Sequence, residues 1–174
     1  HGTELTLAGL LIVALPLMLG WAIPPQPLGA AAVGNREINV GQLASVAPPQ
    51  EDGTVGLATG NRNILDWLSA FQRAGDPTTF NGQEASVIGF VYRDDRFEAD
   101  SFMVGRFTVS CCVAAAAPIG LIVRYDDAGS LPDNQWVEVQ GRFEVGNFNG
   151  IEMPILVVES VVEVEPPAQP YLYI

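Results

Sequence analysis

A run of uncharged, mostly apolar residues near the start limits what this 174-residue chain can fold into more than any other feature. No residue from Leu5 to Asn35 carries a charge, and the apolar centre of the run, Leu5 to Ile23, is 19 residues long. An α-helix of that length spans about 30 Å, the thickness of the hydrocarbon core of a bilayer. The run therefore predicts a transmembrane helix within residues 1–23, with Trp21 at the membrane interface.

Two other interpretations of the run stay open. A cleaved secretory signal would end at a small-residue site such as residues 28–33 (LGAAAV), but no Lys or Arg precedes the run. A helix buried in a protein core would show a polar face, which the run lacks. We favour a retained helix that is kinked, if anywhere, at Pro16 and is ended by Pro24 and Pro25. This predicts a single-pass protein of the cell membrane that contacts the lipid bilayer through residues 5–23.

The charge of the chain restricts its partners. There are 20 acidic and 8 basic residues, which gives a net charge of -12, and every basic residue is Arg. Such a surface repels phosphate backbones and anionic lipid headgroups, so we expect no nucleic-acid partner. The acidity and the lack of Lys favour an extracytoplasmic location for the domain that follows the helix.

After the apolar run, the chain divides into a linker and one domain. Residues 24–60 are rich in Pro, Gly and Ala and predict a tether or an irregular segment that wraps the domain. Residues 61–174 predict a β domain with one short flanking helix. That helix has Asn63 as a candidate cap, apolar residues at three- and four-residue spacing, and Gly75 at its end.

Beyond this helix the apolar residues alternate with polar ones, which is the period of β-strands. The five predicted strands are Glu84 to Tyr92, Ser101 to Ser110, Ile119 to Tyr125, Trp136 to Val145 and Ile155 to Glu165. Turns rich in Gly, Asp, Asn and Pro separate most of them. The pattern predicts a mainly β fold, a small five-stranded OB-like barrel. Its inward or packed residues are expected to include Val87, Phe107, Ile122, Val137 and Val157.

Cys111 and Cys112 are the only cysteines and the candidate metal ligands. Adjacent residues of a strand point to opposite faces, so the two thiols share a metal only if the strand breaks, which Ala114 to Pro118 suggests. A closed zinc site needs four ligands, and the sole His is His1. A soft ion bound by two thiolates and a vicinal disulfide stay open. We expect at least one thiol to be buried and metal-free, with any functional role confined to Cys112.

The sequence does not predict an enzyme. Because the domain has no His, a Ser or Cys nucleophile would lack its usual base. The carboxylate pairs Asp94 and Asp95, and Asp126 and Asp127, fall in predicted turns and are typical of solvated loops. No Walker sequence, dinucleotide-binding glycine motif or haem-attachment motif is present, so we expect no cofactor.

Several short motifs, in order, resemble those of one bacterial family. They are an apolar helix ending in Pro-Pro, then NILDWL, GFVYR, RFTVSCCVA, PIGLIV, WVEVQGRF and PPAQPYLY. Together they cover nearly the whole chain, which resembles the YcgQ-like family of bacterial permease subunits. The resemblance implies an uncharacterised membrane protein that acts with a larger permease, and it suggests metal-ion traffic. The family pattern continues after Cys-Val-Ala with an acidic residue, where this chain has Ala115.

These observations lead to hypotheses of different classes. The first is a non-catalytic accessory subunit of a membrane transport system, with an integral membrane protein as its partner. The second is a structural or assembly subunit of another large membrane complex. The third is a soft-metal or thiol-redox binding domain that uses Cys111 and Cys112.

Overall fold

The structure is a computed structural model that describes residues 7–22, 28–33, 39–40 and 62–174. Its helices are α1 (Leu7–Ala22), α2 (Ala30–Val33) and α3 (Ile64–Ala74). Its strands are β1 (Asn39–Val40), β2 (Glu84–Tyr92), β3 (Ser101–Val109), β4 (Ala117–Arg124), β5 (Trp136–Phe148), β6 (Ile151–Glu163) and β7 (Tyr171–Tyr173). Short 3-10 turns lie at Pro77–Phe80, Val113–Ala115 and Ala128–Ser130.

Five of the strands, β2 to β6, close into a barrel. β2 pairs with β3 and β5, β3 also pairs with β4, and β5 pairs with β6, all antiparallel. A parallel contact of Val123 and Arg124 with Leu156 and Val157 joins β4 to β6 and closes the ring. β6 therefore lies between β4 and β5, so the barrel is not a simple meander. The closed five-stranded barrel that the sequence predicted is confirmed.

The observed strand limits follow the prediction closely at β2 and less closely at β5 and β6. These two strands form one long hairpin whose loop is Asn149 and Gly150, both with positive φ, 51° and 81°. A two-residue loop of this kind matches the right-handed twist of its strands, so pairing continues to the loop itself. The predicted turn from Gly146 to Gly150 is therefore mostly strand.

The barrel interior and α3 form one apolar core. α3 begins at a capping box, in which the side chain of Asn63 accepts from the Asp66 backbone N–H and the Asp66 carboxylate accepts from that of Asn63. It ends at Gly75, whose φ of 70° suits glycine. Between these caps the apolar stripe of α3 places Trp67 against Phe143 of β5, with ring centroids 4.8 Å apart.

A second apolar cluster covers the outer surface of β2 and β3. Phe90 and Phe107 stack there with ring centroids 5.6 Å apart, and Trp136 meets Phe90 edge-on. α2 packs on this cluster through Ala30 and Val33, which lie in the segment predicted as a tether. Because both faces of β3 are covered, all nine of its residues are buried.

The pairing of β7 with β3 extends the sheet beyond the barrel. β7 runs parallel to the end of β3, with Phe107 opposite Tyr171 and Val109 opposite Tyr173. The hydroxyl of Tyr171 also accepts a hydrogen bond from the Leu28 backbone N–H at 3.0 Å. This strand was not predicted, and it ties the segment after β6 to the outer surface of the barrel.

The predicted packed residues are placed largely as expected. Val87 and Val137 lie in the barrel core, Phe107 lies in the outer cluster, and Ile122 packs with Met153 and Ile155 on another outer surface. Val157 is half-buried.

The predicted membrane-spanning helix, Leu5 to Ile23, is not confirmed. The helix in this region is α1, 16 residues long with Pro16 inside it, and Leu5, Thr6 and Ile23 lie outside the described residues. Within residues 7–22, 28–33, 39–40 and 62–174, no helix has both the length and the apolar character needed to cross a membrane.

Candidate functional site

Both cysteines lie in a tight turn between β3 and β4. β3 ends at Val109, and the backbone then bends through Ser110 into the 3-10 turn Val113–Ala115. The carbonyl oxygen of Cys112 accepts the Ala115 backbone N–H at 2.9 Å. We call residues 110–115 the cysteine turn.

The structure corrects two expectations about the thiols. Both Cys111 and Cys112 are free and exposed, so the expectation that at least one would be buried is wrong. Their Sγ atoms lie 3.7 Å apart, so the side chains do not point to opposite faces of a sheet. The physical reason is that β3 has already ended, so the alternation of an extended strand no longer applies.

The turn stabilises the thiolate form of Cys112. The pKa of Cys112 is lowered, first because the Cys111 thiol donates a hydrogen bond to its sulfur and then because the backbone N–H groups of Ala115 and Ala114 do the same. Donors aimed at a charged form favour that form. These donors therefore favour the thiolate of Cys112, which is the form that binds metals and attacks electrophiles.

The protein supplies two soft ligands here and no complete shell. Among the described residues, no group of three or more His, Cys, Asp or Glu side chains is placed to hold one metal ion. Ala115 is exposed in the same turn and contributes a backbone N–H rather than a carboxylate. The prediction of Cys111 and Cys112 as metal ligands stays a prediction.

A buried arginine fixes the chain next to this turn. The guanidinium of Arg106 on β3 donates to the carbonyl oxygens of Pro170, at 3.0 Å, and of Gln169, and it lies 5.6 Å from the centroid of the Trp136 ring. Burial lowers the pKa of Arg106. These contacts hold β7 against β3, and the Ile174 backbone N–H then donates to the carbonyl oxygen of Val109.

The carboxylates considered for acid and base chemistry lie elsewhere. Asp94 accepts from Arg96 Nε at 3.0 Å and from the Tyr92 hydroxyl at 3.0 Å, and these hydrogen bonds, chiefly those of Arg96, lower its pKa. Asp95, Asp126 and Asp127 are exposed in turns. An ionised, hydrogen-bonded Asp94 is a poor proton acceptor at neutral pH.

Sequence reasoning did not identify the backbone donors or Arg106. The hydrogen bonds to Cys112 come from main-chain groups, which have no residue-type signal. Arg106 did have a signal in the sequence, because a charged residue inside an otherwise apolar strand is expected to have buried partners.

Two curated relatives align with this chain at low identity. The protein YcgQ of Bacillus subtilis, of the group UPF0703, is 22% identical over 99 residues, which are 56% of this chain and 35% of that protein. This chain therefore matches about a third of the length of YcgQ. A Streptococcus mutans protein with the provisional name of a two-component membrane permease complex subunit is 24% identical over an alignment of 197 positions, covering 94% of this chain and 72% of that protein.

Among solved structures, a DUF3299 family protein from Pseudomonas aeruginosa PAO1 is a distant match. It is 18% identical, with a TM-score of 0.31, and the match covers 51% of this chain and 65% of that one. A likeness this weak supports no inference about the fold or the function.

The family model supports a firmer assignment than the individual relatives do. The model described as the DUF1980 C-terminal domain matches residues 45–174, which include α3, the whole barrel, the cysteine turn and β7. Most of the chain therefore lies inside the match, and the chain belongs to the DUF1980 C-terminal domain family.

Proposed function

We propose that this chain is a non-catalytic accessory subunit of a membrane transport system, held beside a membrane-embedded permease by α1. The family assignment and the name of the Streptococcus relative support an accessory role in a membrane system. The barrel then serves as a rigid body that contacts the permease or its cargo.

The observation that carries this proposal is the exposure of α1. The large apolar side chains between Leu11 and Trp21 are between 51% and 91% exposed, and no charged residue interrupts them. An apolar surface of this extent is stable only when a partner or a lipid phase covers it. The side chains concerned are Leu11, Ile12, Val13, Leu15, Leu17, Met18, Leu19 and Trp21.

The covering of β3 and β4 limits how the barrel could act. Many OB-fold barrels bind oligonucleotides on their second and third strands. The corresponding strands here, β3 and β4, are buried along nearly their whole length. Contacts made by the barrel therefore fall to its exposed turns, including the Asn149–Gly150 loop that joins β5 to β6, rather than to that surface.

Site-specific photo-crosslinking in native membranes tests the proposal. A crosslinker at Ile12 is expected to capture a multi-spanning permease, identified by mass spectrometry, because α1 would pack on it. The matched control is a crosslinker at Val162 of β6, an apolar side chain that is 53% exposed on the barrel. It should not capture the permease, because it lies outside α1.

A functional arm completes the test. The double substitution Ile12→Asp and Leu15→Asp places two charges on the exposed surface of α1. It should therefore lower both the co-purification of the permease and the transport activity. Val162→Asp, the control, should leave both close to the level of the unmodified chain. Capture of a membrane complex without transport activity would favour the structural or assembly role instead. Capture of lipid alone would overturn the placement of α1 beside a permease.

A further inference from the structure

We propose that Cys111 and Cys112 form an open two-thiolate site for a thiophilic divalent cation with tetrahedral preference, for which Zn²⁺ and Co²⁺ are suitable probes. The site is separate from the exposed surface of α1. It adds a ligand-binding activity to the barrel and does not depend on the accessory role.

The separation of the two sulfurs matches one edge of a tetrahedral site. A zinc–sulfur bond is about 2.3 Å, so two thiolates on one tetrahedral ion lie about 3.8 Å apart. The Sγ atoms of Cys111 and Cys112 are 3.7 Å apart. Little movement is therefore needed for both to bind the same ion.

A disulfide between these two cysteines needs a larger change than a bridging ion does. Because the residues are adjacent, the bond closes a strained eight-membered ring that includes the peptide bond joining them. A disulfide also brings the sulfurs to about 2.05 Å, whereas a bridging ion keeps them near their present separation.

Exposure and the local backbone make the pair accessible. Both cysteines are exposed, so an ion can reach them without disturbing the barrel. The Ala115 backbone N–H donates to the Cys112 carbonyl oxygen at 2.9 Å, which closes the turn that holds the two thiols side by side. The net charge of -12 also attracts cations to the surface.

Binding by two cysteines leaves coordination positions for other ligands. Each thiol releases its proton to solvent and donates an electron pair to the ion, and nothing is oxidised or reduced. In the part of the chain that the structure describes, no third His, Cys, Asp or Glu joins the pair. Water or a ligand from another molecule then fills the remaining positions, so the ion exchanges more readily than in a closed four-ligand site.

Anaerobic titration of the reduced full chain with Co²⁺ tests this inference. We expect one Co²⁺ per chain, with a thiolate-to-cobalt charge-transfer band and the visible spectrum of a tetrahedral site, and displacement by Zn²⁺. Cys111→Ser and Cys112→Ser should each weaken binding at least tenfold. Ser110→Ala, in the same turn and also exposed, is the matched control and should bind as the unmodified chain does.

Phenylarsine oxide provides a second arm, because it needs two neighbouring thiols but no tetrahedral geometry. Binding of both probes supports the inference. Binding of the arsenical without Co²⁺ would overturn it, because the thiols would then be accessible but unsuited to the ion. Co²⁺ binding that persists in both single Ser variants would also overturn it, since surface carboxylates would be the ligands. Circular dichroism confirms that each variant is folded.

Discussion

The helices α1 and α3 are both rich in apolar residues, yet they bury them very differently. Trp21 of α1 is 91% exposed, whereas Trp67 of α3 is fully buried among Phe71, Phe80 and Phe143. α3 carries its apolar residues on one stripe and polar residues such as Asp66 and Arg73 elsewhere. α1 is apolar all round.

The difference shows where each helix finds its stabilising contacts. The apolar stripe of α3 packs into the same core as the barrel strands, so its stabilising contacts come from its own chain. A helix that is apolar on every side has no such single partner surface and is typical of one surrounded by apolar material. Substitutions in α3 should therefore act on folding, and substitutions in α1 should act on association.

The largest expected effect is that of Trp67→Ala. Removing a fully buried indole that contacts three aromatic rings should lower the free energy of unfolding by about 3–5 kcal/mol. Trp21→Ala should change it by less than about 0.5 kcal/mol, because the side chain contributes nothing to the barrel core. Urea denaturation of the full chain in mild detergent, followed by far-ultraviolet circular dichroism, measures both.

Trp67→Phe refines this prediction. The buried Nε1 of Trp67 has no hydrogen-bond partner among the described residues, so Phe removes an unsatisfied donor while keeping most of the apolar volume. It should therefore cost clearly less than Trp67→Ala. Equal losses for Trp67→Ala and Trp21→Ala would break the distinction between the two helices.

A smaller effect is expected from Asn63→Ala at the start of α3. The substitution removes one half of the capping box and leaves the Asp66 backbone N–H without its acceptor, which should cost about 1 kcal/mol. Asn63→Asp should retain most of the stability because its carboxylate can accept the same hydrogen bond. The shift in urea midpoint is the measurement, and an unchanged midpoint in Asn63→Ala would show that packing alone defines the start of α3.

The smallest expected effect is on acid sensitivity just after α3. Hydrogen bonds from the Thr78 hydroxyl and backbone N–H, at 2.7 and 2.9 Å, lower the pKa of Asp76. The resulting stabilisation is present above the unfolded-state pKa of about 3.9 and is lost as the pH falls through the lower folded-state value. The urea midpoint should therefore fall slightly more between pH 7 and pH 3 in the unmodified chain than in Asp76→Asn.

Membrane association carried by α1 should behave differently under acid. α1 contains no ionisable side chain, so its apolar surface is the same at pH 7 and pH 4. Sedimentation with lipid vesicles at the two pH values measures this. A pH-dependent loss of sedimentation that is the same in Ile12→Asp would place the membrane contact outside α1.

The parts of the fold that sequence predicts well have local causes. Asn63 and Gly75 limit α3 through contacts with residues three and four positions away, so both ends are visible in the sequence. β2 likewise runs from Glu84 to Tyr92, the limits that its apolar residues and the flanking turn residues predict. The barrel follows because five such strands must pair to cover their edges.

The parts that sequence does not predict depend on distant or main-chain contacts. β7 forms by pairing with β3, more than 60 residues earlier, and its three residues, Tyr171 to Tyr173, are too few for the period of a strand to show in the sequence. Pro154 lies inside β6 although a proline usually argues against a strand. The predicted strand, Ser101 to Ser110, ends one residue from the observed limit at Val109, so what the sequence does not show is the tight turn that follows, in which the Ala115 backbone N–H donates to the Cys112 carbonyl oxygen.

The contact between Ile174 and Val109 matters for anyone who attaches a reporter to this chain. The Ile174 backbone N–H donates to the carbonyl oxygen of Val109, two residues before Cys111. A fluorophore fused after residue 174 would emerge beside the cysteine turn, where it could quench on ion binding or obstruct it. A fluorophore that must not disturb ion binding should therefore be attached at the Asn149–Gly150 loop. A dye attached after Ile174 would instead report on the ion bound by the two sulfurs.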